Sequence, residues 1–253
     1  MHAHERITEA LASTDGTALV PFITAGYPDP KTFLSTLDAL APQAAVIEVG
    51  VPFSDPMADG MTIQRSSHTA IGQGVTLRWI LDQLAGHSGF DTPIVLMSYL
   101  NPLLAFGLPE LAAAARAVGV CGFIVPDLPF EESAPVRAAL EAEGLGLVQL
   151  VTPATPPERL QTLTEASRGF VYAVTVTGIT GGGQGLASEI GTYLEAVRAA
   201  SNLPVCAGFG IRSAADIARI GAHADGAIVG SALVEVLEAG DDPGAFLAAL
   251  SGA

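Results

Sequence analysis

The 253-residue chain is 49% hydrophobic and only 15% charged, ample apolar material for a large core and incompatible with a disordered chain. Its net charge of −15, with only 11 lysines and arginines, would repel nucleic acid and anionic membrane, so neither is an expected partner. The start, MHAHERITEALAS, lacks a signal-peptide core and no apolar run approaches a membrane span, so a cytoplasmic protein is expected.

In chain order, His4 to Leu11 is predicted to form an extra helix ahead of the first strand, covering the bottom of the fold. Short apolar, β-rich runs then predict strands at Leu19–Ile23, Ala44–Glu48, Pro93–Met97, Cys121–Val125, Leu147–Val151, Gly169–Val174, Pro204–Ala207 and Gly226–Val229. Between them, apolar residues recurring at three and four predict helices over Lys31–Ala41, Leu108–Val118, Glu131–Glu143, Pro156–Ala166, Ile190–Ala200 and Ser213–Ile220. This alternation, undivided by any linker, predicts an α/β chain folded as a single-domain (β/α)8 TIM barrel over residues 1–253 with an extra N-terminal helix. Cys121 and Cys206 lie inside apolar runs and are expected as buried thiols of a reducing compartment. His2 and His4 could catch a stray ion, but the other histidines have no ligand spacing, so no metal site is expected.

In barrels of this kind the chemistry sits at the C-terminal ends of the strands. The segment EVGVPFSDPMADGMTIQ, from Glu48 to Gln64, puts Glu48 at the end of predicted strand two and Asp59 in the following loop. Two acids in different surroundings can hold different protonation states at one pH, as general acid/base catalysis requires. The structural alternative is a salt-bridged strand-end Glu and a helix-capping Asp.

Three glycine-bearing loops follow strands six, seven and eight: Thr180-Gly181-Gly182-Gly183, Gly208-Phe209-Gly210 and Gly230-Ser231. Glycine lets an anion approach the backbone and helix-start N–H groups attract negative charge, so a phosphate is expected there. Gly208-Phe209-Gly210 lacks the third glycine and the acidic strand end of a dinucleotide fingerprint. Ala-Asp-Gly occurs twice: Asp59 follows a strand, at the catalytic end, whereas Asp225 precedes one, at the stability end. Asp127, in VPDLP, follows strand four, but its flanking prolines equally suit a structural turn.

Taken in order, LVPFITAGYPD, IEVGVPFSDPMADG, VPDLPFEES, GFVYAVTVTGITG, GFGI and ADGAIVGSALV closely resemble the tryptophan synthase alpha chain over nearly the whole sequence. The resemblance implies a lyase that cleaves indole-3-glycerol phosphate to indole and glyceraldehyde 3-phosphate, with Glu48 as general acid/base and Asp59 as the carboxylate that stabilises charge on the ring nitrogen. It implies an indole pocket of Phe22, Ile63, Ile124, Leu150 and Phe209, Tyr172 and Thr180 near the substrate and closing loop, and a phosphate cradle of Gly181, Gly210, Gly230 and Ser231. It further implies a beta chain as partner in an α2β2 assembly, with pyridoxal phosphate on that partner and no cofactor on this chain. The family's partner-facing surface includes the Pro52 to Pro56 stretch, intact here. Thr175 and Val176 replace a common serine and arginine, the loop runs GITGGGQG, and His68 replaces a frequent arginine; these bear on loop closure and partner signalling. Two other readings remain at this stage: a free-standing indole-releasing lyase, and a catalytically weak barrel kept as a regulatory subunit.

Overall fold

The computed structural model describes residues 1–175, 184–208 and 210–251, the side chains of 184–188 excepted. Eight parallel strands close into a barrel in sequence order. They are β1 (Ala18–Thr24), β2 (Ile47–Gly50), β3 (Ile94–Met97), β4 (Val120–Ile124), β5 (Gly146–Val151), β6 (Val171–Val174), β7 (Val205–Gly208) and β8 (Gly226–Val229). Most of their residues are buried, because the barrel interior covers one face and the helices cover the other.

Register partners in parallel strands point to the same side, so the pairs Phe22↔Glu48, Glu48↔Val95, Leu150↔Tyr172 and Tyr172↔Cys206 trace the inward face around the barrel. Strand β2 differs from expectation. It runs to Gly50, which pairs with Thr24 and Met97, so Glu48 is its second residue and lies inside the barrel rather than at the strand's end. Gly50 is required there, since a Cβ would come within 2.5 Å of the Phe22 ring. The predicted sixth strand starts two residues late because Gly169, at φ +91°, is in the left-handed region that a strand cannot use.

The N-terminal helix α1 (Ala3–Ala12) buries Ala3, Ile7 and Leu11. It covers the N-terminal end of the barrel: the Thr8 hydroxyl donates to Gly169 O at 2.8 Å, and Arg6 donates to Phe90 O and Asp91 O ahead of β3. The predicted first outer helix is α2 (Phe33–Leu40), flanked by 3₁₀ turns at both ends. Between β2 and β4 three helices were not anticipated: α3 (Met61–Gly72), α4 (Leu77–Ala85) and α5 (Leu100–Phe106). The buried face of α3 is Ile63, Ser66, Ser67 and Ala70, so half its core contacts are made by serines and its apolar periodicity is broken. Next come α6 (Leu108–Ala117), α7 (Ala134–Ala142), α8 (Pro157–Ala166), α9 (Gln184–Ala200) and α10 (Ala214–Gly221). The chain ends with α11 (Ser231–Ala239) and an unanticipated α12 (Pro243–Ser251) that packs on α2 and α11.

Cys121 and Cys206 are buried free thiols. At the stability end, Asp225 accepts from the Val205 N–H at 2.8 Å and pairs with Arg198 at 3.0 Å. No helix among the described residues is long and apolar enough to cross a membrane.

Candidate active site

Glu48 and Asp59 face one cavity of 270 Å³ at the C-terminal end of the barrel. Phe22, Ile63, Leu150 and Tyr172 supply its walls, and Gly210, Gly230 and Ser231 also line it. Ile124 does not: it is fully buried in the core, and its register partner Met97 reaches the cavity instead. Thr180, Gly181 and Phe209 lie outside the described residues. A larger cleft of 710 Å³ lies under α1 at the opposite end, where barrels carry stability rather than chemistry.

Glu48 is 1% exposed, and its Oε2 is buried without a hydrogen-bond partner. Desolvation, with the Asp59 charge adding to it, pushes its carboxyl up to about 8, so Glu48 holds a proton at neutral pH. Asp59 is reached by a loop that runs from β2 into α3, where Gln64 Nε2 donates to the Asp59 carbonyl at 2.8 Å. Burial raises the Asp59 carboxyl as well, but the Tyr99 hydroxyl, donating to Oδ2 at 3.0 Å, favours the charged form. Glu48 thus has burial and a like charge against its ionised form, whereas Asp59 has a hydrogen bond working against burial, and carboxyls in such different environments can divide acid and base roles.

Tyr172 stands on β6 beside this pair, its phenol held well above the usual range by burial and by Glu48. Gly208 makes room for it, since a Cβ there would lie 2.5 Å from the Tyr172 hydroxyl. Tyr99 was missed at the sequence level, although its place two residues after an apolar strand was a usable signal. Asp127 has a structural duty: its Oδ1 accepts from the Leu100 N–H at 2.9 Å, at the start of α5.

At the anion end the two helix starts differ. α10 is closed by its own capping box, with Asp216 Oδ2 accepting from the Arg212 and Ser213 N–H groups, so its N-terminus is occupied. α11 begins directly after Gly230 with no side-chain cap, which leaves the first N–H groups of the helix for a ligand. Gly210, at φ +52°, makes the adjacent left-handed turn. Arg212 is paired through its two terminal guanidinium nitrogens with Glu235, so what the open helix start offers is neutral backbone N–H groups.

The family model for the tryptophan synthase alpha chain matches residues 9–250. The chain belongs to the tryptophan synthase alpha chain family. It is 44% identical to the tryptophan synthase alpha chain of Solidesulfovibrio magneticus, covering 96% of this chain and 95% of that one. It is 46% identical to the alpha chain of a Caulobacter species, over 93% of this chain and 86% of the relative. The crystal structure of tryptophan synthase subunit alpha from Legionella pneumophila superposes with a TM-score of 0.89 at 33% identity, covering 99% and 97% of the two chains. Tryptophan synthase from Mycobacterium tuberculosis gives 0.88 at 37%, covering 98% and 96%. As a member of the tryptophan synthase alpha family the chain is a carbon–carbon lyase of tryptophan biosynthesis, acting on indole-3-glycerol phosphate, and its family works with a beta subunit.

Replacing Gly230 with Val tests the cradle. A Cβ there would meet only Phe22 at 3.7 Å, an ordinary contact, so the barrel tolerates it, while the added methyls compete with the anion for space. We expect glycerol phosphate affinity, measured by calorimetry, to fall about tenfold or more, as losing a charge-assisted hydrogen bond does. Unchanged affinity would place the anion elsewhere.

Proposed function

We propose that Glu48 shuttles the protons of indole-3-glycerol phosphate cleavage while Asp59 holds the indole N–H, in a chain that carries no cofactor. The observation that carries this reading is a buried Glu48, its Oε2 without a hydrogen-bond partner, lining the same cavity as Asp59. Protonated Glu48 gives its proton to indole C3, and the ring becomes an indolenine with positive charge at nitrogen. Asp59, anionic, accepts the ring N–H bond and offsets that charge. Glu48, now a carboxylate, removes the proton from the hydroxyl on the carbon attached to C3. The O–H electron pair becomes the aldehyde carbonyl, the C3–carbon bond breaks, and its pair returns to the ring to restore indole. Glu48 ends protonated, as it began.

On this reading the apolar walls of Phe22, Ile63, Leu150 and Met97 take the flat ring, and the Gly210 and Gly230–Ser231 backbone takes the phosphate. The family resemblance adds Thr180, Gly181 and Phe209 to these contacts. The proposed partner is a beta chain in an α2β2 assembly, with pyridoxal phosphate on the beta chain. Exposed Met57 (82%) and Met61 (77%), on and just beyond the loop that carries Asp59, are apolar surface suited to such a partner. Two buried thiols fit a cytoplasmic location.

The test incubates purified chain with indole-3-glycerol phosphate, with and without a beta chain, and follows indole. We expect slow release alone and a clear rise with the beta chain. Full activity alone would favour a free-standing lyase, and no release under either condition a regulatory barrel.

A further inference from the structure

Tyr99 sits among three strand ends. It lies two residues past the β3 end, is 4% exposed, and its ring stacks on Phe53 of the loop after β2 at 4.8 Å and 23°. The next residue, Leu100, is tied to Asp127 beyond β4. A tyrosine hydroxyl has one proton, and its direction is free unless a donor fixes the oxygen. Here the Ala58 N–H donates to that oxygen at 2.9 Å, leaving the proton to point at Asp59 Oδ2, 3.0 Å away. Ala58 immediately precedes Asp59, so the loop that carries the carboxylate also orients the group that holds it. Among the described residues Oδ1 of Asp59 takes no hydrogen bond and is left for a ligand.

We propose that Tyr99 is the positioning residue of the second carboxylate: it clamps Oδ2 of Asp59 so that Oδ1 is presented to the ring N–H of the substrate. The inference rests on the lyase reading of the cavity. Because the hydroxyl donates to the carboxylate, the clamp also favours the ionised form of Asp59. The other titratable groups that face this carboxylate are Glu48 from β2 and Tyr172 from β6, with Asp127 acting on Tyr99 from beyond β4. None of them is a cation, so Tyr99 is the group among them that opposes the effect of burial. Its own phenol is pushed up to about 12, so it remains a donor throughout the working range of pH.

Tyr99→Phe keeps the ring and its stack and removes only the hydroxyl. We expect kcat to fall about ten- to a hundredfold, the effect of one hydrogen bond to a charged group. KM and glycerol phosphate affinity should change little. The carbon-13 titration of Asp59, assigned against Asp59→Asn, should move up by about one pH unit. In the Asp59→Asn background the same Tyr99→Phe change should cost much less, because Tyr99 acts through the lost carboxylate. An unmoved Asp59 midpoint, or the same loss of kcat in both backgrounds, overturns the proposal. The titration is read on the chain whether or not it turns over, so absence of indole release by the unaltered chain counts against the lyase reading and not against the clamp.

Discussion

Glu48→Gln is expected to lower indole release on the order of 10² to 10⁴-fold, the range supplied by a general acid/base group, while glycerol phosphate still binds. The amide has the shape of the protonated acid but can neither give up a proton to C3 nor accept one from the hydroxyl. The same substitution should stabilise the fold at alkaline pH. The folded-state value of Glu48, about 8, lies above the ordinary carboxyl value, so between the two the folded chain binds a proton that the unfolded chain has released. Stability contributed by this group therefore falls as pH rises from the unfolded value towards 8 and stays low above it. Glutamine has no proton to lose. We expect the variant to melt about 5 °C or more above the unaltered chain at pH 9, with the gap closing towards pH 4. Turnover near the unaltered rate would remove Glu48 from the chemistry, and equal melting at both pH values would show that its carboxyl titrates normally.

The barrel was legible in the sequence because each strand is a short apolar run between turn residues, a pattern that depends only on local chain. The carboxylate pair was legible for the same reason, as Glu48 and Asp59 share one segment. The depth of Glu48 was not. It depends on β2 running on to Gly50, which is set by pairing with Thr24 and Met97 on neighbouring strands. Ile124 and Met97 show the same limit: both are apolar, paired in register at adjacent strand ends, and the stagger of the barrel decides which one meets the cavity. Helix α4, by contrast, has Leu77, Ile80, Leu81 and Leu84 on its buried face, an apolar spacing that was present to be read. Of the two helix starts beside the glycine-bearing loops, the one at Ser213 is filled by Asp216, three residues on, while the one at Gly230 and Ser231 carries no side-chain cap, and the side chain that decides this lies inside the helix and not in the glycine loop. Tyr99 acquires its role from a contact across strand ends, and no spacing within its own segment announces Asp59 as its partner.

Asp59→Asn should lower kcat on the order of 10²- to 10³-fold, comparable to removing an electrostatic stabiliser of a developing charge. Asparagine keeps one acceptor oxygen, enough for the indole N–H or for Tyr99 but not for both at the two carboxylate positions, so the loss combines the negative charge with one acceptor; Asp59→Ala removes charge and both acceptors together and should lose more. The pH profile separates this residue from Glu48. As pH falls through the Asp59 value, which burial raises above the ordinary range, the anion is lost and turnover declines. As pH rises through about 8, Glu48 loses the proton that it must donate. The two titrate as a coupled pair and give kcat/KM a bell shape. Asp59→Asn should flatten the acid limb of its residual activity and leave an alkaline limb moved downward, since removing the Asp59 charge takes away one of the two causes that raise Glu48. An acid limb that survives in Asp59→Asn would assign that proton to another group, and an alkaline limb that does not move would show that the two carboxyls do not sense each other.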